Sequence, residues 1–392
     1  MIWGPDLPRL VLCLLLLVSL AGCSSHKPVV VKPTPLTALD TAPTQIDKRW
    51  VRQITLTAKD PLGTAHLPVI SSDAVIVCDD KGQVLALSTA KGRSLWQYDS
   101  GVSLTGGLTY ADGLVVAGGG DGDVLALTAA DGQLRWRNRV SSEVLTSPLI
   151  SDGIVIVRSV DGRIVAFDSA DGKRLWTYQL AVPSLSLHGL GRPLVEAGVV
   201  FAGFADGRLV ALDLRDGREL WQLAVTVPQG RSELERLADV DANLVQTDGV
   251  VFAAAYRGRV VAVNEKDGRL LWARDLSVYR GLAVDDAALY LVDDEDAVWA
   301  ISRRNGATLW KQEGLLHRSL TAPVLIDGRL VVGDVQGYLH WLDVRDGSFA
   351  GRTRLGDNPI SQLQQDDQGA LYVVSSDGRL TRLLAHLPDS AM

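Results

Sequence analysis

The chain is poor in the residues that usually carry chemistry. Its 392 residues include three cysteines, six histidines and two methionines. The five histidines in the body of the chain, at 66, 188, 317, 340 and 386, are scattered, with no His-Glu-x-x-His pair to hold zinc and no Gly-x-Ser-x-Gly elbow for a nucleophile. No catalytic residue, metal-ligand set or cofactor site is therefore expected. Lysine-rich and arginine-rich runs are also missing, and the formal net charge is −7. Phosphate backbones need a basic face, so nucleic acid is excluded as a partner. The apolar run over residues 10–20 falls well short of the roughly 20 residues that cross a bilayer. Gly118-Gly119-Gly120-Asp121-Gly122 is glycine-rich but lies between two strand patterns rather than ahead of a helix, which argues against a phosphate loop. Asp293-Asp294-Glu295-Asp296 lacks the alternating ligand spacing of a calcium loop and reads as a solvated turn.

What the chain has instead is tryptophan, glycine and a period. The stretch from Asp161 to Trp176 opens on an Asp-Gly turn, continues as a short apolar strand centred on Ala166, and turns again at Asp171-Gly172 into a strand carrying Trp176. The opening glycine recurs at Gly82, Gly122, Gly162, Gly207, Gly258, Gly337 and Gly378, with Asp296 in its place once. Alanine follows four residues later at Ala86, Ala126, Ala166, Ala211, Ala262 and Ala300. Tryptophan follows fourteen later at Trp96, Trp136, Trp176, Trp221, Trp272 and Trp310. Four short strands per period of about 40 residues mark a β-propeller. A large indole needs a small neighbour to pack at native density, so the repeated Ala and Trp are expected to face each other. The seventh unit inverts the pair, with Trp341 in the alanine place and Gly351 in the tryptophan place.

The repeats stop unevenly. Residues 47–52, around Trp50, look like the last strand of a unit whose first three are missing, whereas the final unit ends before its outer Trp strand. The two halves complement each other. The expected fold is all-β, an eight-bladed propeller over 46–386 closed by the N-terminal strand around Trp50.

Ahead of the propeller, residues 1–22 read as a signal peptide. Leu20-Ala21-Gly22-Cys23 resembles the lipobox of bacterial lipoproteins, in which the cysteine is acylated and becomes the first residue after cleavage. Ser24 after that cysteine resembles an outer-membrane address. Residues 23–45 carry Pro28, Pro33, Pro35 and Pro43 and read as a lipid-anchored tether. With Cys13 lost and Cys23 capped, Cys78 stands alone in an apolar strand and reads as a small buried hydrophobe.

Successive Trp residues are 40 apart up to Trp176, but the next two steps are 45 and 51. The excess falls at about 180–192 and 226–243, in connections from an outer strand to the next inner one. Equivalent connections share one rim of a propeller, so the two insertions should be neighbours, and such insertions commonly build a binding face. Leu185 and Leu187 alternate with serines there, and Asp239 and Asp241 alternate likewise. The spacing alone leaves two readings open: leucines packing the loop onto the blade, or leucines facing a partner.

The scaffold repeat resembles that of pyrroloquinoline-quinone dehydrogenases, which are also eight-bladed. Their adjacent Cys pair, haem-attachment motif and long insertions have no counterpart here, which leaves a quinone- or ligand-binding propeller as the alternative reading. A narrower resemblance covers more features. The lipobox, the eight units and the strings Pro183-Ser184-Leu185-Ser186-Leu187-His188-Gly189, Glu233-Leu234-Glu235-Arg236-Leu237-Ala238-Asp239-Val240-Asp241 and Leu315-Leu316-His317-Arg318 are similar to the BamB family, propeller lipoproteins of the β-barrel assembly machinery in Gram-negative outer membranes. The resemblance implies a non-catalytic scaffold without cofactor, anchored by lipid to the periplasmic face of the outer membrane. It implies binding to the POTRA domains of BamA and, through it, to the other lipoproteins of the machinery, with unfolded barrel proteins as a further class of partner. The family's BamA-contacting residues match Leu185, Leu187, Asp239 and Asp241. His188 departs from the family's more frequent arginine and is mostly neutral at pH 7.

Overall fold

The computed structural model describes residues 31–39, 45–54, 67–79, 81–181, 191–226, 240, 242–278 and 280–386. The chain divides into two units, Met1–Lys32 and Pro33–Met392. The described part of the second unit is an all-β propeller of eight four-stranded antiparallel sheets. Blade 3 shows the pattern, with strands Leu149–Ser151, Ile154–Arg158, Arg163–Asp168 and Arg174–Gln179 hydrogen-bonded in that order. Between its first two strands, Asp152 and Gly153 take φ of 50° and 75°, the pair of positive values that a tight two-residue hairpin requires. Asp296, in a place that glycine fills elsewhere, also sits at φ 69°.

Burial grades outward. Every residue of Ile154–Arg158 is buried, whereas in Arg174–Gln179 only Trp176 is. The apolar surface lies between blades as much as within them. Each of the eight core clusters joins one blade to its neighbour. One of them packs Val75, Val77 and Leu87 of blade 1 against Tyr372, Val374 and Leu380 of blade 8, which closes the ring. Blade 8 takes its fourth strand from the N-terminus: Gln45–Gln53 pairs with Arg379–His386. The expected closure by Trp50 is therefore observed.

The tryptophans do more than fill their own blade. Trp176 is the register partner of Ala166, as the spacing predicted, and the same pairing holds for Trp96 with Ala86 and Trp310 with Ala300. Each indole then reaches the next blade. Trp50 Nε1 donates to Thr89 O at 2.7 Å, Trp96 to Ala129 O at 2.8 Å, Trp176 to Leu214 O at 2.9 Å and Trp310 to Val344 O at 2.8 Å. In the same turn of that next blade a glycine lies under the ring. Blade 7 is the exception. Its Trp341 and Gly351 are register partners, and the indole is fully buried. The reason is topological. Blade 8 has no turn between its third and fourth strands, because its fourth strand is the N-terminal one. A tryptophan at Gly351 would have no such turn to cap.

Part of the stretch read as a tether is docked on the ring. Thr34 N donates to Leu316 O at 3.1 Å, and Thr34 O and Thr37 O accept from Arg318 Nη1 and Arg352 Nη1 at 2.8 and 2.7 Å. Leu36 packs on the core between blades 6 and 7. The acidic run at 293–296 also differs from expectation, since two of its four carboxylates are buried. Asp293 accepts from Glu295 N, Ala297 N and Trp299 Nε1, and Asp296 accepts from Ser319 N and Leu320 N across the blade junction. Backbone NH groups without strand partners recruited these carboxylates inward. Cys78 is buried, and desolvation pushes its thiol up.

Candidate functional site

Two connections depart from the 40-residue rhythm. The first leaves strand Arg174–Gln179 of blade 3 for strand Leu194–Glu196 of blade 4, and the second leaves Glu219–Ala224 of blade 4 for Val245–Thr247 of blade 5. Both run from an outer strand to the next inner one, so both emerge on one rim. Their ends are anchored. Leu180 N donates to Gly162 O at 3.0 Å, Val225 N to Gly207 O at 2.8 Å and Val240 N to Phe204 O at 3.2 Å. Arg158 Nη1 holds Gly191 O at 2.8 Å.

The two insertions meet. Arg192 N, at the end of the first, donates to Asn243 Oδ1 at 3.1 Å, at the end of the second. A bridge from Asn243 to Gly281 extends the contact into blade 6. A direct bond thus joins the ends of the two insertions that the spacing made neighbours. Leu185, Leu187, His188, Asp239 and Asp241 themselves lie outside the described residues, as does Cys23. Val240, between the two aspartates, is described and buried, so the second loop is pinned at that point.

The third string, Leu315 to Arg318, sits in the equivalent connection between blades 6 and 7 and is structural. Leu315 is fully buried in the core. Arg318, 1% exposed, forms an ion pair with Asp334 at 2.6 Å and donates to Gln336 at 2.7 Å. His340 joins through Nε2 to Asp334 at 2.9 Å and receives Arg352 Nε on Nδ1 at 3.1 Å. Since guanidinium only donates, Nδ1 must carry the lone pair and Nε2 the proton. Burial pushes His340 below the usual imidazole range, against the pull of Asp334. Sequence reasoning missed this cluster. Its members lie 16, 6 and 12 residues apart on different strands and loops, and no motif joins them. The cluster also holds Thr34 and Thr37, which brings the N-terminal segment to the same rim as the insertions, two to three blade junctions round the ring.

The family model described as outer membrane protein assembly factor BamB matches residues 80–312. The BamB protein of Salmonella typhimurium is 36% identical over 93% of this chain and 96% of its own length. The chain belongs to the BamB family. The alignment with the BamB protein of Alkalilimnicola ehrlichii, at 42% identity, is narrower and spans 41% of that relative. Among solved structures, BamB from Moraxella catarrhalis superposes with a TM-score of 0.79 at 28% identity, covering 87% of this chain and all of that one. A quinohemoprotein alcohol dehydrogenase from Comamonas testosteroni has a TM-score of 0.67 at 13% identity over 88% of this chain and 78% of its own. That likeness is one of fold alone. Among the described residues no three His, Cys, Asp or Glu side chains converge as a metal site would require.

Proposed function

We propose that the chain is a scaffold lipoprotein of the outer-membrane β-barrel assembly machinery, with no catalysis of its own. Acylated Cys23 holds it on the periplasmic face of the outer membrane. The rim formed by residues 180–192 and 226–243 docks on the POTRA domains of BamA, with Leu185 and Leu187 as the apolar anchors and Asp239 and Asp241 setting orientation beside them. His188 stands at the edge of that contact without a fixed charge.

The observation that carries the reading is the Arg192–Asn243 bond, which joins the two insertions on one rim of a family whose members are named as assembly factors. Burying two leucines contributes about 1.5–3 kcal/mol each, whereas exposed carboxylate pairs contribute about 0–1 kcal/mol. The apolar pair therefore dominates affinity. The test is co-purification of BamA from solubilised outer membranes with the Leu185→Ala, Leu187→Ala double variant. Loss of BamA from a variant with native circular dichroism is the expected result, and retention of BamA moves the site elsewhere on the ring. The anchor is tested separately by Cys23→Ser, which should accumulate as an unprocessed or soluble precursor.

A further inference from the structure

The axis of the ring holds a charge arrangement unlike the rest of the molecule. Residues on or just ahead of the first strands of seven blades surround a cavity of about 200 Å³. Arg192 and Arg280 line it together with Thr146, Asn243, Gln362 and Gln364, and among the described residues no aspartate or glutamate does. Acidic residues outnumber basic ones 46 to 39 in this chain, so the sign of the cavity is inverted relative to the whole.

Arg192 is the decisive group. Its Nη2 donates to Thr109 Oγ1 at 3.1 Å and Pro148 O at 3.4 Å, both neutral. Its Nε is buried and donates to nothing, and Thr146 Oγ1, in the lining of the same cavity, is buried without a partner too. Among the described residues no carboxylate stands within ion-pairing distance of Arg192. Arg318, which is more deeply buried than the partly buried Arg192, has Asp334 against it. Arg280 is partly offset by the nearby Asp296, while desolvation alone acts on Arg192 and lowers it. A guanidinium taken out of water without a counter-charge is costly, and an anion entering beside it recovers that cost.

We propose that this axial cavity binds a small oxyanion, a carboxylate or a phosphate, between Arg192 and Arg280. The planar fork of a guanidinium matches two oxygens of such a group, and the unpartnered Nε and Thr146 hydroxyl supply further donors. A second cavity of about 440 Å³ also touches Arg192, Leu67 and Gln364, and leaves room for whatever carries the oxyanion. That second space contains Asp366 and Asp367, so the anion-selective part is the Arg192–Arg280 side.

The full mature protein is titrated at constant ionic strength with inorganic phosphate, with acetate, and with a tripeptide bearing either a free or an amidated C-terminus, reading heat of binding and the unfolding midpoint. A saturable response is expected from at least one oxyanion. Binding of phosphate identifies a free-anion site, and binding of the free but not the amidated tripeptide identifies a chain-terminal carboxylate site. Arg192→Gln should weaken that response at least tenfold, and Arg192→Lys should restore part of it. Arg93→Gln, at an exposed outer turn, should leave it unchanged. Thr146→Val provides a milder variant if Arg192→Gln does not fold, with several-fold weaker binding expected. No saturable response to any probe, or an equal response in wild type and folded variants, overturns the proposal.

Discussion

Trp50 lies on Gly92: a Cβ built at that glycine would fall 2.7 Å from the indole Cδ2. The two residues belong to different blades, one at the beginning of the propeller sequence and one in its first complete repeat. The same contact recurs between Trp96 and Gly132, Trp136 and Gly172, and on to Trp310 and Gly347. These turn glycines also have positive φ, 61° at Gly92 and 72° at Gly132. Each glycine is thus required twice, once by the turn and once by the neighbouring ring.

Ring closure should depend on this contact. Trp50→Ala is expected to destabilise the protein by about 3–5 kcal/mol, through the lost packing and the freed Thr89 carbonyl. Gly92→Val should act in the same direction by clashing with the indole. Urea unfolding of the purified body measures both. A loss under about 1 kcal/mol for Trp50→Ala would mean that strand pairing alone closes the ring.

Trp341 separates volume from hydrogen bonding. Its ring is fully buried, but its Nε1 has no acceptor. Trp341→Ala opens a large cavity and should cost about 3–5 kcal/mol. Trp341→Phe gives up less volume and relieves an unpaired buried donor worth about 1–3 kcal/mol, so it should be far better tolerated. Equal losses in the two variants would show that the indole NH is not a liability there.

His340 predicts a pH dependence with a definite sign. The folded site prefers neutral imidazole, because burial disfavours charge and Arg352 occupies Nδ1. Below the ordinary imidazole value of about 6.5, the unfolded chain takes up a proton that the folded site resists. Stability therefore falls as pH drops from there towards the lower folded value, and is unaffected by this group above it. His340→Gln can donate to Asp334 and accept from Arg352 without titrating. Its unfolding free energy should show a flatter slope between pH 7 and 5 than wild type, by up to one proton. Parallel slopes would dismiss the assignment.

The docked N-terminal segment should be releasable. Arg352→Ala removes the donor to Thr37 O, and Arg318→Ala the donor to Thr34 O. Arg318 also pairs with buried Asp334, so Arg352→Ala is the cleaner variant. Limited proteolysis should cut Arg352→Ala within residues 33–39 several-fold faster than wild type, with the propeller intact. Unchanged cleavage would assign the docking to Leu36 and the Thr34–Leu316 bond instead.

How much of this was legible in the sequence follows from where each interaction is encoded. The blade count and the Ala–Trp pairing repeat at fixed spacing, and the closing strand and the two insertions stand out as departures from it. A period exposes them because each blade solves the same packing problem. Even the inverted pair at Trp341 and Gly351 was visible as an inversion, although its cause was not. That cause is the missing turn in blade 8, a consequence of ring topology. The acidic run at 293–296 misled in the same way. Spacing could not show that Asp296 would find Ser319 and Leu320 in the next blade. The Arg318–Asp334–His340–Arg352 cluster, gathered in blade 7 and the connection leading into it, its hold on Thr34 and Thr37, and the uncompensated Arg192 on the axis occur once each, with no repeat to expose them. Local sequence determines how each blade folds, through turn glycines and alternating burial. Only the closed ring decides which charges are shut away from water together, because it brings distant segments against them, Thr34 to Arg318 and Thr109 to Arg192.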